Sequence, residues 1–123
     1  MGMYTEIYVN VDLKKDLPPD VLAILKAMCG DEDVNALKGK PSRWGYMFYS
    51  GSYYTPNVSC RVLEYDDISN QWSLLGKGDI KNYEQEIEKF FEWIDPYVDA
   101  ESGEFIGYKR YEENLNPTLI WKK

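Results

Sequence analysis

The N-terminal segment alternates between apolar and polar positions with a period of two over residues 3–13. One side of this alternation holds Thr5, Ile7, Val9, Val11 and Leu13. Because successive side chains of a strand point to opposite faces, the pattern predicts a half-buried β-strand. Tyr4 and Tyr8 would then lie on the polar face of that strand.

Two later segments carry apolar residues at helical spacing. The first begins near Pro18, ends near Gly30 and has an apolar face made of Val21, Leu22, Leu25, Met28 and Cys29. The second follows Asn82 and Gln85, whose spacing resembles a capping box. Its apolar face consists of Tyr83, Ile87, Phe90, Phe91, Ile94, Tyr97 and Val98. Pro96 is expected to bend or end this helix near its last turn.

Further strand-like segments complete the predicted fold. They cover residues 46–54, 58–65, 71–77, 105–111 and 118–121. The polar residues 31–42 indicate a surface loop. The order is therefore β-α-β-β-β-α-β-β. We predict one α+β domain over residues 1–123, with an antiparallel sheet that carries both helices on one face.

The residue types that are absent narrow the possible chemistry. The 123 residues include no histidine, which excludes Ser-His-Asp and Cys-His catalysis and any zinc site with a histidine ligand. Cys29 and Cys60 lie in apolar-patterned segments and are expected to be reduced thiols. Ser50 and Ser52 do not form the Gly-x-Ser-x-Gly nucleophile motif. We therefore expect a protein that is not an enzyme and that uses no cofactor and no metal.

The charge balance restricts the class of partner. Asp and Glu number 21 against 14 Lys and Arg, for a net charge of -7, and the basic residues form only small clusters. Such a chain would repel a phosphate backbone, so direct binding of nucleic acid is not expected. No apolar run approaches membrane-spanning length, and the N-terminus enters a strand pattern without a signal peptide. We expect a cytoplasmic protein.

Aromatic residues are concentrated between positions 44 and 54, where six of eleven residues are aromatic. Tyrosine and tryptophan offer broad, rigid contact surfaces and stack on planar ligands such as nucleobases. The candidate ligand-binding residues are Arg43, Trp44, Tyr46, Tyr49, Tyr53 and Tyr54, completed by Tyr8, Tyr108 and Arg110 from neighbouring strands. The alternative is that these aromatics only stabilise the sheet through cross-strand pairs. Exposed aromatics also suit self-association, so a homo-oligomer is expected.

A glycine-containing stretch before the second helix is a possible anion loop. Gly76, Lys77, Gly78 and Lys81 could offer backbone N–H groups and positive charge to a phosphate. The third glycine of a dinucleotide-binding motif is missing, and so is the signature of a P-loop. An ordinary turn between a strand and a helix is the alternative.

A row of acidic residues marks the second helix. Glu84, Glu88 and Glu92 follow one another at intervals of four residues on its open face. They could form a docking surface for a basic partner, or simply a solvated face.

Three stretches together resemble small accessory proteins encoded by bacteriophages and prophages. They are residues 43–47 with 51–54, residues 82–93, and residues 107–113 with 117–120. The resemblance implies a protein that acts by binding, including binding that blocks host defence. It implies no catalytic residue.

These observations favour a non-catalytic binding protein that sequesters a nucleotide-like host ligand through an aromatic-rich surface, in the cytoplasm of a bacterial host. The alternative is an acidic inhibitor that imitates nucleic acid and occupies a basic site on a host protein. The expected partner is thus a small nucleotide-like molecule or a host protein.

Overall fold

The alternating N-terminal segment forms the central strand of a five-stranded antiparallel sheet. The computed structural model describes residues 3–30, 33–51 and 58–123. Its regular elements are β1 (Thr5–Asp12), α1 (Pro19–Met28), β2 (Cys60–Asp66), β3 (Gln71–Ile80), α2 (Glu86–Ile94), β4 (Phe105–Tyr111) and β5 (Thr118–Trp121). Short 3-10 helices cover Val34–Leu37, Ser42–Tyr46 and Asp95–Tyr97. The spatial order of the strands is β2-β3-β1-β4-β5.

Both helices pack on the same face of the sheet. The inward residues of β1 share one hydrophobic core with apolar residues of α1 and α2. Its fully buried members include Ile7, Val9, Leu25, Met28, Ile87, Phe90 and Ile94. The predicted α+β class, with an antiparallel sheet and both helices on one face, is confirmed. The opposite face of the sheet, which we call the open face, carries no helix among the described residues.

The strand predicted over residues 46–54 is wrong in the part of this segment that the structure describes. Ser42–Tyr46 forms a 3-10 helix and residues 47–49 form a turn, whereas residues 52–57 lie outside the described ranges. Trp44, Met47 and Phe48 are the buried residues here. They lie three and four positions apart, so they reach the core from one side of a helical turn and not by strand alternation.

The predicted anion loop is likewise wrong, because Gly76 and Gly78 lie inside β3. A side chain at position 78 would come within 2.0 Å of the Met47 carbonyl oxygen. One at position 76 would come within 2.6 Å of the Phe48 ring. The two glycines therefore let the segment around Met47 pack directly on the sheet, and they pair with β1 in the ladder.

The start of α2 differs from the predicted capping box. Gln85 has a left-handed backbone with φ of +60° and makes no capping hydrogen bond through its side chain. Asn82 serves instead, because its side-chain oxygen accepts a hydrogen bond from the Ile87 N–H at 2.8 Å. The predicted end of the helix is confirmed, since α2 stops at Ile94, just before Pro96.

Candidate functional site

The first two residues of the predicted ligand site, Arg43 and Trp44, contact residues of α2; Trp44 is buried, whereas the Arg43 side chain is 26% exposed. Trp44 is only 2% exposed, and its ring packs against Phe90 and Trp93. Its indole N–H donates a hydrogen bond to the Glu86 carbonyl oxygen at 3.0 Å. We call Arg43, Trp44 and Glu86 the buried corner. The prediction that Trp44 stacks on a ligand is wrong, since no ligand can reach its ring.

The charge of Arg43 is neutralised within the buried corner. Its guanidinium pairs with the carboxylate of Glu86, a residue that is 2% exposed, and lies 5.5 Å from the ring centre of Tyr83. Burial raises the pKa of Glu86, but hydrogen bonds from Arg43 and from the Glu84 N–H outweigh it, so the pKa is lowered overall. The hydrogen bond to Glu86 in turn raises the pKa of Arg43. The charge of Arg43 is therefore already balanced by Glu86.

Two further tyrosines of the predicted site lie at the surface. Tyr46 and Tyr49 are exposed, and the Arg61 guanidinium lies 4.8 Å from the centre of the Tyr49 ring. Tyr53 and Tyr54 lie outside the described residues. Among the described tyrosines of the predicted cluster, Tyr49 contacts Arg61, and Arg61 belongs to a second site.

That second site is a cleft at the C-terminal end of α1. It has a volume of about 310 Å³ and is lined by Lys26, Cys29, Arg61, Leu63 and Trp72, which we call the basic cleft. The Lys26 ammonium lies 5.3 Å from the centre of the Trp72 ring. On its other side, the Arg61 guanidinium packs over Gly30, where a side chain would come within 2.9 Å of it. Arg61, whose side chain is exposed, thus contacts both the Tyr49 ring and Gly30.

The cations of the basic cleft carry no partner of opposite charge among the described residues. Of the three arginines, Arg43 and Arg110 pair with glutamates, whereas no described carboxylate lies within 4.0 Å of Arg61. Lys26 likewise forms no ion pair within the described ranges. In a chain with a net charge of -7, this cleft therefore presents two adjacent positive charges beside an aromatic face.

The thiol in the basic cleft is a weak acid. Burial raises the pKa of Cys29 to about 11, the positive charge of Arg61 opposes that shift, and Cys60 adds to it. Both cysteines are free. At neutral pH Cys29 is therefore protonated and neither cancels the positive charge nor acts as a nucleophile.

The other predicted binding residues lie together on the open face. Four rings of neighbouring strands form a continuous row, which we call the aromatic row: Tyr8, Phe105, Tyr108 and Trp121. Ring centres are 5.2 Å apart between Tyr8 and Tyr108, 6.5 Å between Tyr8 and Phe105, and 5.8 Å between Phe105 and Trp121. The structure brings Tyr8 and Tyr108 together as expected, but away from the buried corner.

The cations on the open face gather around one acid. Glu6 accepts hydrogen bonds from the Tyr108 hydroxyl at 2.5 Å and from Arg110 at 3.4 Å, and Lys77 lies 3.8 Å away. Burial and this bond to Glu6 raise the pKa of Tyr108. Arg110 and Lys77 are thus partly neutralised. Lys81, the remaining predicted anion ligand, lies over the Tyr4 ring at 5.8 Å.

The acidic row on α2 is partly neutralised. Glu88 pairs with Lys109 at 3.0 Å and accepts a hydrogen bond from Asn82 at 2.6 Å. Glu92 lies 3.9 Å from Lys123. Glu84 precedes the helix, which begins at Glu86, so the three glutamates do not form one helical row.

A larger cavity, of about 350 Å³, lies beside the start of α2. Its charged residues, Lys109 and Glu88, pair with each other, so it offers a ligand no charge of its own. The smaller basic cleft is the better candidate site for this reason.

Sequence reasoning missed the residues of the basic cleft. Lys26, Arg61 and Trp72 come from α1, β2 and β3, and each has an ordinary place in the pattern of its own element. The local sequence carries no signal that joins them. Only the pairing of β2 with β3 and the packing of α1 bring them together.

No protein-family model, curated protein or solved structure matches this chain. The resemblance to phage-encoded proteins, and the function that it implies, therefore stay predictions. Among the helices that the structure describes, none is both long and apolar enough to cross a membrane. Within the described ranges, no group of three or more Cys, Asp or Glu side chains is placed to hold a metal ion.

Proposed function

We propose that this protein is a non-catalytic binding protein that captures a planar, anionic small molecule of the nucleotide type in the basic cleft. The observation that carries the proposal is the position of Lys26 and Arg61 beside the Trp72 indole, without a described carboxylate within 4.0 Å of either cation. The ligand class follows from pairing an aromatic surface with adjacent positive charge.

Each part of the cleft has a role in this proposal. The base of the ligand stacks on Trp72 in place of the Lys26 ammonium, which lies over that ring and turns towards the phosphate. Stacking of this kind is worth about 1–3 kcal/mol per base. The phosphate of the ligand pairs with Arg61, whose planar guanidinium matches two phosphate oxygens, and with the mobile ammonium of Lys26. Stacking of Arg61 on Tyr49 fixes the guanidinium before the ligand arrives, so less rotational freedom is lost on binding.

The size of the cleft limits the ligand. A volume of about 310 Å³ is at the lower end of the range for small-molecule sites. A mononucleotide or a compact cyclic nucleotide suits that space better than a dinucleotide cofactor.

The negative net charge is compatible with an anionic ligand. Surface charges more than about 8 Å away are largely screened at physiological salt. The two local cations therefore dominate the potential felt by a small anion inside the cleft. A nucleic-acid chain, in contrast, would extend over the acidic surface and be repelled.

The proposal excludes turnover at this site. Among the described residues that line the cleft there is no carboxylate, and the thiol of Cys29 is protonated at neutral pH. The described lining of the cleft therefore supplies neither a general base nor an activated nucleophile. In the cytoplasm of a bacterial host, such a protein would sequester its ligand and release it unchanged.

The test is a titration of the purified protein with a panel of linear and cyclic mononucleotides, followed by Trp fluorescence and native mass spectrometry. Lys26→Gln and Arg61→Gln should each weaken binding at least about tenfold, because each removes a charge-assisted hydrogen bond. Lys15→Gln, at an exposed lysine of the turn before α1, is the matched control and should bind like the unmodified protein.

Two results would refute the proposal. One is that no nucleotide of the panel binds to the unmodified protein. The other is that the two cleft variants, folded by circular dichroism, bind as tightly as the Lys15→Gln control. Recovery of a chemically altered nucleotide from the complex would instead identify an enzyme.

A further inference from the structure

The larger cavity, beside the start of α2, differs from the basic cleft in the kind of ligand that suits it. It has a volume of about 350 Å³, and we call it the neutral cavity because the two charges in its described wall balance each other. Strands of the sheet form one side of it, and the start of α2 forms the other. The hydrogen-bonding residues of its wall include Asn82, Glu88, Lys109, Tyr111, Asn114 and Thr118.

We propose that the neutral cavity binds an uncharged, hydroxyl-rich small molecule, a neutral monosaccharide. This is a second ligand site, and it does not depend on nucleotide capture because its lining shares no residue with that of the basic cleft. The two sites lie towards opposite edges of the sheet, since β2 and β3 contribute to the cleft, whereas β4 and β5 contribute to the cavity.

An ordered ion pair forms the polar end of the neutral cavity. The Lys109 ammonium lies 3.0 Å from Glu88 Oε2, and the Asn82 side chain donates a hydrogen bond to Glu88 Oε1 at 2.6 Å. Asn82 is itself fixed, because its oxygen accepts the Ile87 N–H at 2.8 Å. Burial raises the pKa of Glu88, but the hydrogen bonds from Asn82 and Lys109 outweigh it, so the pKa is lowered overall and the carboxylate is charged at neutral pH.

This ion pair has hydrogen-bonding capacity to spare. An ammonium has three N–H donors, and Lys109 uses one of them on Glu88 among the described residues. Each Glu88 oxygen accepts one described hydrogen bond and can accept a second. A hydroxyl both donates and accepts, so it can bond to both residues without separating them. An ionic ligand would have to break the pair and leave one charge uncompensated, which is unfavourable.

Three uncharged groups extend the polar lining. The Tyr111 hydroxyl, the Asn114 side-chain amide and the Thr118 hydroxyl have no hydrogen-bond partner among the described residues. Together with the ion pair, they offer donors and acceptors from several directions. A sugar ring, which carries hydroxyls around its rim, matches that arrangement better than a ligand with a single polar group.

Aromatic rings complete the lining. Tyr83 and Tyr111 both contribute to the cavity wall, and Tyr83 is 59% exposed. The Tyr83 hydroxyl accepts the Met3 N–H at 3.1 Å, and the Arg43 guanidinium lies 5.5 Å from the ring centre. A tyrosine presents an apolar ring with a polar tip, and a sugar presents C–H groups on its faces with hydroxyls at its rim. The volume is at the lower end of the range for small-molecule sites, which favours one sugar ring over a chain of them.

The first test titrates the full chain with a panel of neutral aldohexoses and aldopentoses, measured by calorimetry and ligand-observed NMR. At least one sugar should bind, with an affinity that changes less than about twofold between low and high salt, because no net charge is brought together. The corresponding uronic acid should bind at least about tenfold more weakly, since its carboxylate meets a lysine that is already paired.

Two substitutions then remove single groups from the wall. Tyr111→Phe deletes one hydroxyl and should weaken sugar binding about three- to tenfold. Its matched control is Tyr65→Phe, at a 50% exposed tyrosine of β2 outside the cavity lining. Glu88→Gln removes a charged acceptor and should weaken binding at least about tenfold. Its matched control is Glu92→Gln, one turn further along α2 and likewise outside the lining. Both controls should bind like the unmodified protein.

Glu88→Gln has a second consequence that a merely structural role would not produce. The substitution leaves the Lys109 ammonium without its counter-charge, so the cavity becomes positive. The preference should therefore invert, and the uronic acid should bind this variant more tightly than the neutral sugar does.

Three results would overturn the proposal. The first is that no neutral sugar binds the unmodified protein at millimolar concentrations. The second is that Tyr111→Phe and Glu88→Gln, folded by circular dichroism, bind like their controls. The third is that an uncharged nucleoside or a uronic acid binds where no neutral sugar does, which would contradict the ligand class. The nucleotide titration is scored with Lys26→Gln and Arg61→Gln instead, so the failure of one proposal is distinguishable from the failure of the other.

Discussion

The buried corner and the basic cleft use the same two residue types, an arginine beside a tryptophan, and give them opposite roles. In the corner, Trp44 is 2% exposed and Arg43 pairs with a buried glutamate. In the cleft, Trp72 is half-buried and Arg61 meets no described carboxylate within 4.0 Å. The residue types therefore do not identify a binding site. Whether such a pair can bind a ligand depends on two features: the presence of a counter-charge within the protein and the exposure of the tryptophan ring.

Glu86 is the residue that makes the difference. It is the first residue of α2, its carboxylate holds Arg43 and its carbonyl oxygen accepts the hydrogen bond from Trp44. The corner thus fastens the segment 42–49 to the start of α2. The cleft has no corresponding carboxylate among its described lining residues. The corner stabilises the fold, and we expect the cleft to contribute little to stability.

The largest expected effect comes from removing the two tryptophans in turn. Trp44→Ala should lower the free energy of unfolding by about 3–5 kcal/mol, because it leaves a cavity beneath α2. Trp72→Ala should cost less, about 1–2 kcal/mol, because its ring is only partly buried at the edge of the core. Urea unfolding of both variants measures the difference. Equal losses would show that the two sites do not differ as described.

The next largest difference in stability between the two sites should come from replacing their arginines. Arg43→Gln leaves the Glu86 carboxylate buried without its cation and should cost about 1–3 kcal/mol. Arg61→Gln should change the stability by about 0.5 kcal/mol or less. The double variant Arg43→Gln/Glu86→Gln should recover part of the first loss. A loss for Arg61→Gln as large as that for Arg43→Gln would assign a structural role to the cleft.

Acid should weaken the corner selectively. The pKa of Glu86 is lowered in the folded protein from its ordinary value of 4.5, so its ion pair stabilises the fold above that pH. This contribution is lost as the pH falls through the lowered folded pKa. Urea unfolding between pH 7 and about pH 3 should therefore show a smaller acid loss in Glu86→Gln than in the unmodified protein. Parallel curves for the two proteins would contradict the assigned pKa shift.

The smallest effect concerns reactivity and not stability. In a Cys60→Ser variant, Cys29 is the remaining thiol, and burial, the largest cause of its raised pKa, still keeps it protonated at neutral pH. Its rate of alkylation by iodoacetamide should rise about tenfold per pH unit well past pH 9, without levelling off. A plateau near pH 9, the ordinary value, would mean that the thiol is not shielded by burial.

The sequence alone predicted the elements in which apolar residues recur with a single regular spacing. The alternation in β1 and the apolar spacing of α2 both correspond to observed burial. The strand predicted over residues 46–54 is wrong because aromatic composition is typical of strands, while the buried residues Trp44, Met47 and Phe48 follow helical spacing. Glycines such as Gly76 and Gly78 are typical of a loop or turn, and the sequence could not show that they allow the close approach of Met47, because that contact comes from a distant segment.

The candidate sites were less predictable than the fold. Strand alternation placed Tyr8 on the polar face of β1, but its pairing with Tyr108 depends on the register of β1 with β4, which alternation does not give. The basic cleft could not be predicted, because Lys26, Arg61 and Trp72 meet only after α1 packs beside the β2–β3 hairpin. The ion pair of Arg43 could not be predicted either, since its partner Glu86 lies 43 residues further along the chain.

A calorimetric titration of one mononucleotide into Arg61→Gln and Arg43→Gln, side by side with the unmodified protein, tests the central claim most directly. Both variants remove one guanidinium beside a tryptophan, and both are measured at a temperature where circular dichroism shows them folded. We predict that Arg61→Gln weakens binding at least about tenfold, whereas Arg43→Gln binds within about twofold of the unmodified protein. Loss of binding in Arg43→Gln with retention in Arg61→Gln would place the ligand at the buried corner and contradict this account.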